Sequence, residues 1–240
     1  MSNPNIVWIA SIDIGKKNFA FYIEEFDKSL IISLPRVAKN SRYKIDGTPT
    51  PAFENIVRKV CDNGKVILYE NNDLTEGCDK DAYLDPETFH NMTDLLDTYV
   101  EYWDQCDAFV IEKQMSFSKI GAKTRNNTMA VKLGQHCWSY FSFKYGRFKE
   151  IIEFPAYNKT QILGAKKTII EKGKKKGMYK TMDKPERKKW SVQKAIEILN
   201  DRKDCDTLDM IKSKRKKDDL GDVLCQLQAF KIMVYFDGKL

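Results

Sequence analysis

IVWIASIDIGKKNFAFYI, residues 6–23, decides the architecture. Residues 6–12 are almost entirely apolar, the signature of a strand buried on both faces, and the run ends on a carboxylate, Asp13. Gly15 with Lys16, Lys17 and Asn18 supplies a tight turn, and the apolar residues 19–23 return as a second strand. An N-terminal β-hairpin is therefore expected.

Outward from this hairpin, residues 30–34 and 65–69 both qualify as a third strand. A Pro/Gly/Asn-containing stretch lies between them, and residues 35–85 read as an insertion with a short helix near 53–60. From 86 to 105 the apolar residues Phe89, Met92, Leu95, Leu96, Tyr99, Val100 and Trp103 build one face of an amphipathic helix. Residues 108–112 form a short apolar strand that ends on Glu112. A helix is expected near 126–143 and a strand at 148–154, stopped by Pro155. Further helices fall near 191–199 and 218–234, the last with Leu220, Val223, Leu224, Leu227, Phe230 and Val234 on one face. Strands alternating with helices predict a single α/β domain over residues 1–240, with a mixed central sheet flanked by helices. The chain shows no internal repeat.

The 42% hydrophobic and 12% aromatic content belongs to a globular protein. No apolar run reaches the roughly 18 residues of a membrane span, and the N-terminus lacks a secretory signal, so an intracellular protein is expected. Six cysteines without a C-x-x-C pair argue against structural zinc and against a disulfide framework. Charge is unevenly spread. Residues 159–217 hold 20 Lys and Arg against 8 Asp and Glu, a net of +12 in a chain of +7, so the remainder carries −5. Such a segment suits a polyanion, although a charged, solvated helix face would read alike.

Carboxylates stand where folding alone would not put them. Asp13 and Glu112 each end an apolar strand, and Asp219 and Asp222 sit at i and i+3 beside the apolar stripe of the last helix. Asp218, four residues before Asp222, is left open by the spacing. Each has an ordinary reading: Asp before Gly is turn chemistry, Glu112 can pair with a surface cation, and Asp218 and Asp219 suit a helix start. Gathered together, four buried carboxylates would repel unless a cation compensated, and Mg²⁺ or Mn²⁺ takes hard oxygen ligands of this kind. Two such ions are the arrangement that phosphodiester cleavage uses.

SIDIGKKNFAF around Asp13, FVIEKQ around Glu112 and KSKRKKDDLGDVL around Asp219 and Asp222 resemble the RuvC-like Holliday junction resolvases, in particular those of poxviruses and other large DNA viruses and of fungal mitochondria. FPAYNKTQIL resembles that family's strand-to-helix junction more weakly. In that family the first strand carries an Asp, a middle strand ends in a Glu, and the last helix carries D-x-x-D. The likeness spans about residues 6–235, but residues 35–85 have no counterpart and the last motif lacks the His of some relatives.

The resemblance implies an RNase H-like fold, a homodimer, four-way and other branched DNA junctions as substrate, and Mg²⁺ or Mn²⁺, with no small-molecule cofactor and no membrane partner. It implies that Asp13, Glu112, Asp219 and Asp222 are both catalytic and metal-binding, and that paired symmetric nicks leave 5′-phosphate and 3′-hydroxyl ends. Basic residues and one amide, Gln114, are expected to grip phosphates. These are Lys113, Gln114, Lys119, Lys123 and Arg125 after the Glu112 strand, Lys166, Lys167, Lys174, Lys175, Lys176, Arg187, Lys188 and Lys189 in the basic segment, and Lys214, Arg215, Lys216 and Lys217 before the acidic helix. Met129, Val131, Leu133, Trp138 and Phe141 form the candidate dimer face, or else pack on the sheet.

A nuclease of RNA–DNA hybrids or flaps would share the metal core, and a non-catalytic junction-binding protein would share the basic surface. A sugar-kinase or actin-type ATPase also opens with D-x-G, but needs two such domains and a Gly-rich adenosine motif that this chain lacks. A host cytoplasm or viral factory suits the short N-terminus better than a mitochondrial matrix, for which an Arg-rich presequence would be needed.

Overall fold

The computed structural model of the chain describes residues 3–78, 85–120, 123–214 and 216–239, with the backbone alone at 117–120 and 123–126. β1 (Ile6–Asp13) and β2 (Phe19–Asp27) form the expected antiparallel hairpin, Asp13 opposite Ala20. Asp27 then starts a helix: its side chain accepts from Ser29 N at 2.9 Å and caps α1 (Lys28–Ile32). Of the two candidates for the third strand, residues 30–34 are thus excluded. α2 (Pro51–Asp62) has Pro51 in its first turn and leads into β3 (Lys65–Asn72). α3 (Pro86–Thr98) and α4 (Val100–Trp103) are followed by β4 (Ala108–Lys113).

β5 (Phe117–Ile120) and β6 (Lys123–Asn126) pair antiparallel outside the main sheet. α5 (Thr128–Tyr145), β7 (Glu150–Pro155) and α6 (Ala156–Ile162) come next. The short strands β8 (Thr168–Ile169) and β9 (Tyr179–Lys180) pair with each other and precede α7 (Lys184–Asp201), α8 (Cys205–Ser213) and α9 (Asp218–Lys231). A π-helical turn, Ile232–Phe236, continues α9.

The main sheet runs β3-β2-β1-β4-β7. β1 lies parallel to β4, and β4 parallel to β7, while β2 and β3 are antiparallel. Period-2 alternation divides the core into two layers. Val7, Ile9, Ala20, Tyr22, Phe26, Ala108 and Val110 face α2, α7 and α9. Ala10, Ile12, Phe19, Phe21, Phe109 and Ile111 face α3, α4 and α5. No helix of the described residues is long and apolar enough to cross a membrane.

Three sequence expectations need correction. The helix expected over 86–105 breaks at Tyr99, whose φ of −108° and ψ of 20° leave the helix. Periodicity hides the break because Tyr99 and Trp103 still reach the same ring, Phe21, with centroids at 5.1 and 5.3 Å. Residues 35–85 are not one excursion from the fold: β3 belongs to the sheet, and Phe53, Ile56, Val57 and Val60 of α2 are buried in the core. The helix expected at 191–199 begins at Lys184, because Asp183 and Glu186 form a reciprocal capping box ahead of it.

Candidate active site

β1 and β4 are in parallel register, Ile12 beside Ile111, so Asp13 and Glu112 are the next residues at one end of the sheet. Alternation turns both toward the face covered by α9. That helix brings Asp219 and Asp222. Its fit is close: a Cβ on Gly221 would stand 2.8 Å from Val192 N and 2.9 Å from Ser191 O, so α7 and α9 cross backbone to backbone there. Gln226, one turn after Asp222, clips α9 to both strands, with Nε2 3.1 Å from Ser11 Oγ and 3.0 Å from Val110 O. Tyr69 Oη donates to Leu220 O at 2.5 Å and adds a third tie, from β3.

The acids therefore converge from three distant chain segments onto one cleft of about 370 Å³, lined by Asp13, Glu112, Asp219 and Asp222 together with Lys159, Lys184, Arg187 and Lys188. Lys159 was not singled out from the sequence. It lies on α6, is only 5% exposed, and places Nζ 3.1 Å from Asp222 Oδ1 and 3.4 Å from Glu112 Oε1. A buried lysine in a short polar helix leaves little trace in a sequence, since lysines are almost always exposed. The signal available was its place just after strand β7, in FPAYNKTQIL.

The electrostatics follow from this crowding. Burial first, then the charge of Glu112, pushes the Asp13 carboxyl well above the usual range, and the two side chains share a hydrogen bond. Burial, the largest single effect, acts to raise Glu112, but Lys159, the hydrogen bond from Asp13 and Arg187 together outweigh it and hold Glu112 below the ordinary value. Asp222 is raised, by burial and by Glu112 against the pull of Lys159. Burial works to lower the Lys159 ammonium, yet Glu112, Asp222 and Asp13 push it up. Asp218 pairs with Lys188, and Asp219 lies 2.7 Å from Lys216 and 3.7 Å from Lys188.

Among the described residues no three His, Cys, Asp or Glu side chains stand as a ready-made metal cage. The acids are drawn onto lysines instead. Their chemistry nevertheless suits a hard divalent ion: every candidate donor is a carboxylate oxygen, and Asp219 Oδ2, buried, meets only the half-exposed Lys216 ammonium.

The expected phosphate contacts divide by place. Lys113, Gln114, Arg187 and Lys188 line the acidic cleft, although Lys113 also approaches Glu153 at 3.7 Å. Lys189 and Lys217 line a neighbouring surface recess with Lys188 and Asp218. Lys174, Lys175 and Lys176 lie exposed between β8 and β9, and Lys214 and Lys216 are exposed ahead of α9. Lys166 and Lys167 line other recesses, away from the acids. The side chains of Lys119, Lys123 and Arg125, and all of Arg215, fall outside the described residues. Of the expected dimer face, Leu133 and Phe141 are buried against the sheet, while Met129 and Val131 are half-buried and Trp138 is 36% exposed.

No family model matches the chain. It is 35% identical over 243 residues to Uncharacterized protein 170L of Invertebrate iridescent virus 6, covering 96% of this chain and 91% of that protein. The chain belongs to the 170L family. Uncharacterized protein 97L of Invertebrate iridescent virus 3 is similar too, at 28% identity over 233 residues, with 94% of this chain and 100% of that protein covered. Among solved structures, the yeast mitochondrial Holliday junction resolvase Ydc2 superposes with a TM-score of 0.52 at 12% identity, covering 93% of this chain and 77% of that one. The fowlpox virus resolvase in complex with Holliday junction DNA gives a TM-score of 0.48 at 16% identity, with 94% and 97% covered. The 170L-family chain thus has the expected RNase H-like α/β fold, a mixed sheet flanked by helices.

Proposed function

We propose that this chain is a divalent-metal-dependent, RuvC-like endonuclease that resolves four-way DNA junctions as a homodimer. The observation that carries the reading is the convergence of Asp13, Glu112, Asp219 and Asp222, far apart in sequence, on one cleft bordered by Arg187 and Lys188. The three motifs that resemble the resolvases supply these same acids. Fold likeness to Ydc2, itself a Holliday junction resolvase, agrees with that substrate class.

Asp13, Glu112, Asp219 and Asp222 would hold Mg²⁺ or Mn²⁺, and bound divalent ions would activate water and stabilise the departing 3′ oxygen. Glu112 and Asp13 sit at the ends of neighbouring strands of a packed sheet, so their spacing is fixed before substrate arrives. Lys159, charged and held by Glu112 and Asp222, orients both carboxylates and places a fixed positive charge beside the reacting phosphate. Arg187, Lys188 and Lys184 at the rim neutralise and align the strand. Products would carry 5′-phosphate and 3′-hydroxyl ends. Two copies related by a dyad would present two such clefts, which suits paired symmetric nicks across a four-way junction. Both relatives come from iridescent viruses, and the proposed setting is an infected cell, in the host cytoplasm or a viral factory.

Incubating the protein with an immobile four-way junction, linear duplex and an RNA–DNA hybrid, with Mg²⁺ or with EDTA, tests the reading. Paired, ligatable nicks in the junction alone, lost in EDTA, are expected. Cleavage of the hybrid with an intact junction would assign the same core to an RNA–DNA hybrid nuclease, and binding without any cleavage would leave a junction-binding protein.

A further inference from the structure

Residues 42–49 form a tight turn that the resolvase resemblance does not reach. Tyr43 bridges to Pro49, Lys44 N donates to Thr48 O at 2.8 Å, and Gly47 N donates to Lys44 O at 2.9 Å. The turn is fixed to the segment after α6. Tyr43 Oη donates to Ile162 O at 2.8 Å, and Lys167 N donates to Asp46 O at 2.7 Å. Two glycines in the left-handed region permit the approach: a Cβ on Gly47 (φ +84°) would lie 3.2 Å from Ala165 O, and one on Gly164 (φ +77°) 2.5 Å from Pro49 Cδ.

This junction encloses a recess of about 270 Å³, walled by Tyr43, Lys44, Thr160, Gln161, Lys167 and Thr181 among others, with no carboxylate in its lining. Neither lysine takes part in an ion pair among the described residues. Lys44 also reaches the adjoining recess, where Asp46, Glu54, Glu197 and Asp201 balance the cations; hydrogen bonds from Thr48, with Lys44 helping from across the turn, lower the Asp46 carboxyl. Two ammonium groups with no carboxylate within salt-bridge distance among the described residues, beside hydroxyl and amide donors, suit a phosphate oxygen.

Its position matters as much as its chemistry. α6 turns Lys159 into the acidic cleft and Thr160 and Gln161 into this recess, while Thr181 and Met182 line the recess and Lys184 the cleft. The two therefore flank the same helix, whose diameter with side chains is about 10–12 Å, within reach of one nucleic-acid strand. Resting on the nuclease reading of the cleft, we propose that the Tyr43–Lys44–Lys167 recess binds a backbone phosphate of the strand that crosses the cleft. The 42–49 turn is thereby a part of the substrate surface outside the segments that carry the resolvase resemblance.

The test is equilibrium binding of a fluorescent four-way junction in EDTA over a salt series, with wild type, K44Q/K167Q, and K188Q as a cleft-side control. The double variant should bind several-fold more weakly, with a slope of log affinity against log salt shallower by about 1. T181E, which puts an anion on the recess wall, should weaken binding in the same direction and covers the case of a double variant that melts early. Unchanged affinity and slope in both variants, with K188Q weakened, overturns the recess while leaving the nuclease reading intact. Wild type that ignores junctions but binds an RNA–DNA hybrid, with the same slope change in the variants, overturns the junction reading and keeps the recess.

Discussion

With its ammonium 3.1 Å from Asp222 and 3.4 Å from Glu112, Lys159 neutralises carboxylates that would otherwise repel inside the fold. Lys159→Met should leave them without a counter-charge and lower stability by about 3–5 kcal/mol. Thermal melting in EDTA reads this directly, and added Mg²⁺ should recover more of the loss in the variant than it adds to wild type. An unchanged melting temperature would mean that the lysine is not compensating charge. Asp13→Asn removes one acid while keeping shape, so cleavage should vanish while junction binding persists; loss of both would assign Asp13 to folding. Asp13 and Glu112 were legible because each interrupts an apolar run with a charge. Lys159 was not, since its place after β7 in FPAYNKTQIL is the one local mark of it and lysines are almost always exposed. The same blindness covers Glu24, which is fully buried and held by Arg202 at 2.9 Å and Lys231 at 2.5 Å. Burial acts to raise its carboxyl, but Arg202 and Lys231 outweigh it and hold it at about 2 against an ordinary 4.5. The folded state thus keeps this charge where the unfolded chain takes up a proton. The contribution is complete above pH 4.5 and disappears as pH falls toward 2, roughly 3 kcal/mol in total. Urea unfolding across that window should show the decline in wild type and a flatter profile in Glu24→Gln. Equal slopes would remove Glu24 from the acid response.

α9 joins framework and chemistry in one element. Its apolar side carries Leu220, Val223, Leu224 and Leu227 into the core, and its first turns carry Asp219 and Asp222 into the cleft. Gly221→Ala would force a methyl group to within 2.8 Å of the α7 backbone, so the two helices must part. A loss of about 1–3 kcal/mol is expected from such overpacking, with cleavage falling further than junction binding because Asp219 and Asp222 shift against Asp13. Wild-type melting and activity in that variant would show that the crossing relaxes freely. Sequence periodicity located α9 and most other elements, but it could not register this crossing, which depends on a residue with no side chain. Nor could it separate residues 30–34 from a strand. There the deciding contact is Asp27 capping Ser29 N, a local polar signal that outweighs the apolar run after it. At residues 86–105 the reverse holds: the apolar face is continuous, so the break at Tyr99 changes no periodic position.

Across the whole molecule, the basic segment and the acidic remainder meet at the cleft, whose floor is carboxylate and whose rim is Arg187, Lys188 and Lys184. If six to ten phosphates are contacted, junction affinity should fall by about 10³–10⁵ between 50 and 200 mM salt. A shallow dependence would detach the basic segment from DNA. The proposed dyad predicts a particle of twice the 27.9 kDa chain mass by light scattering, and a persistent monomer that still made paired nicks would require another explanation. The arrangement of the acids also bears on synthesis. Asp13 is made early, Glu112 about a hundred residues later, and Asp222 about a hundred after that. A nascent or proteolysed chain that stops short of α9 owns the first two and has no means of completing the set. On the proposed function, the four-acid site is therefore complete only after translation has passed α9 and the helix has docked, so an unfinished copy is expected to lack cleavage activity.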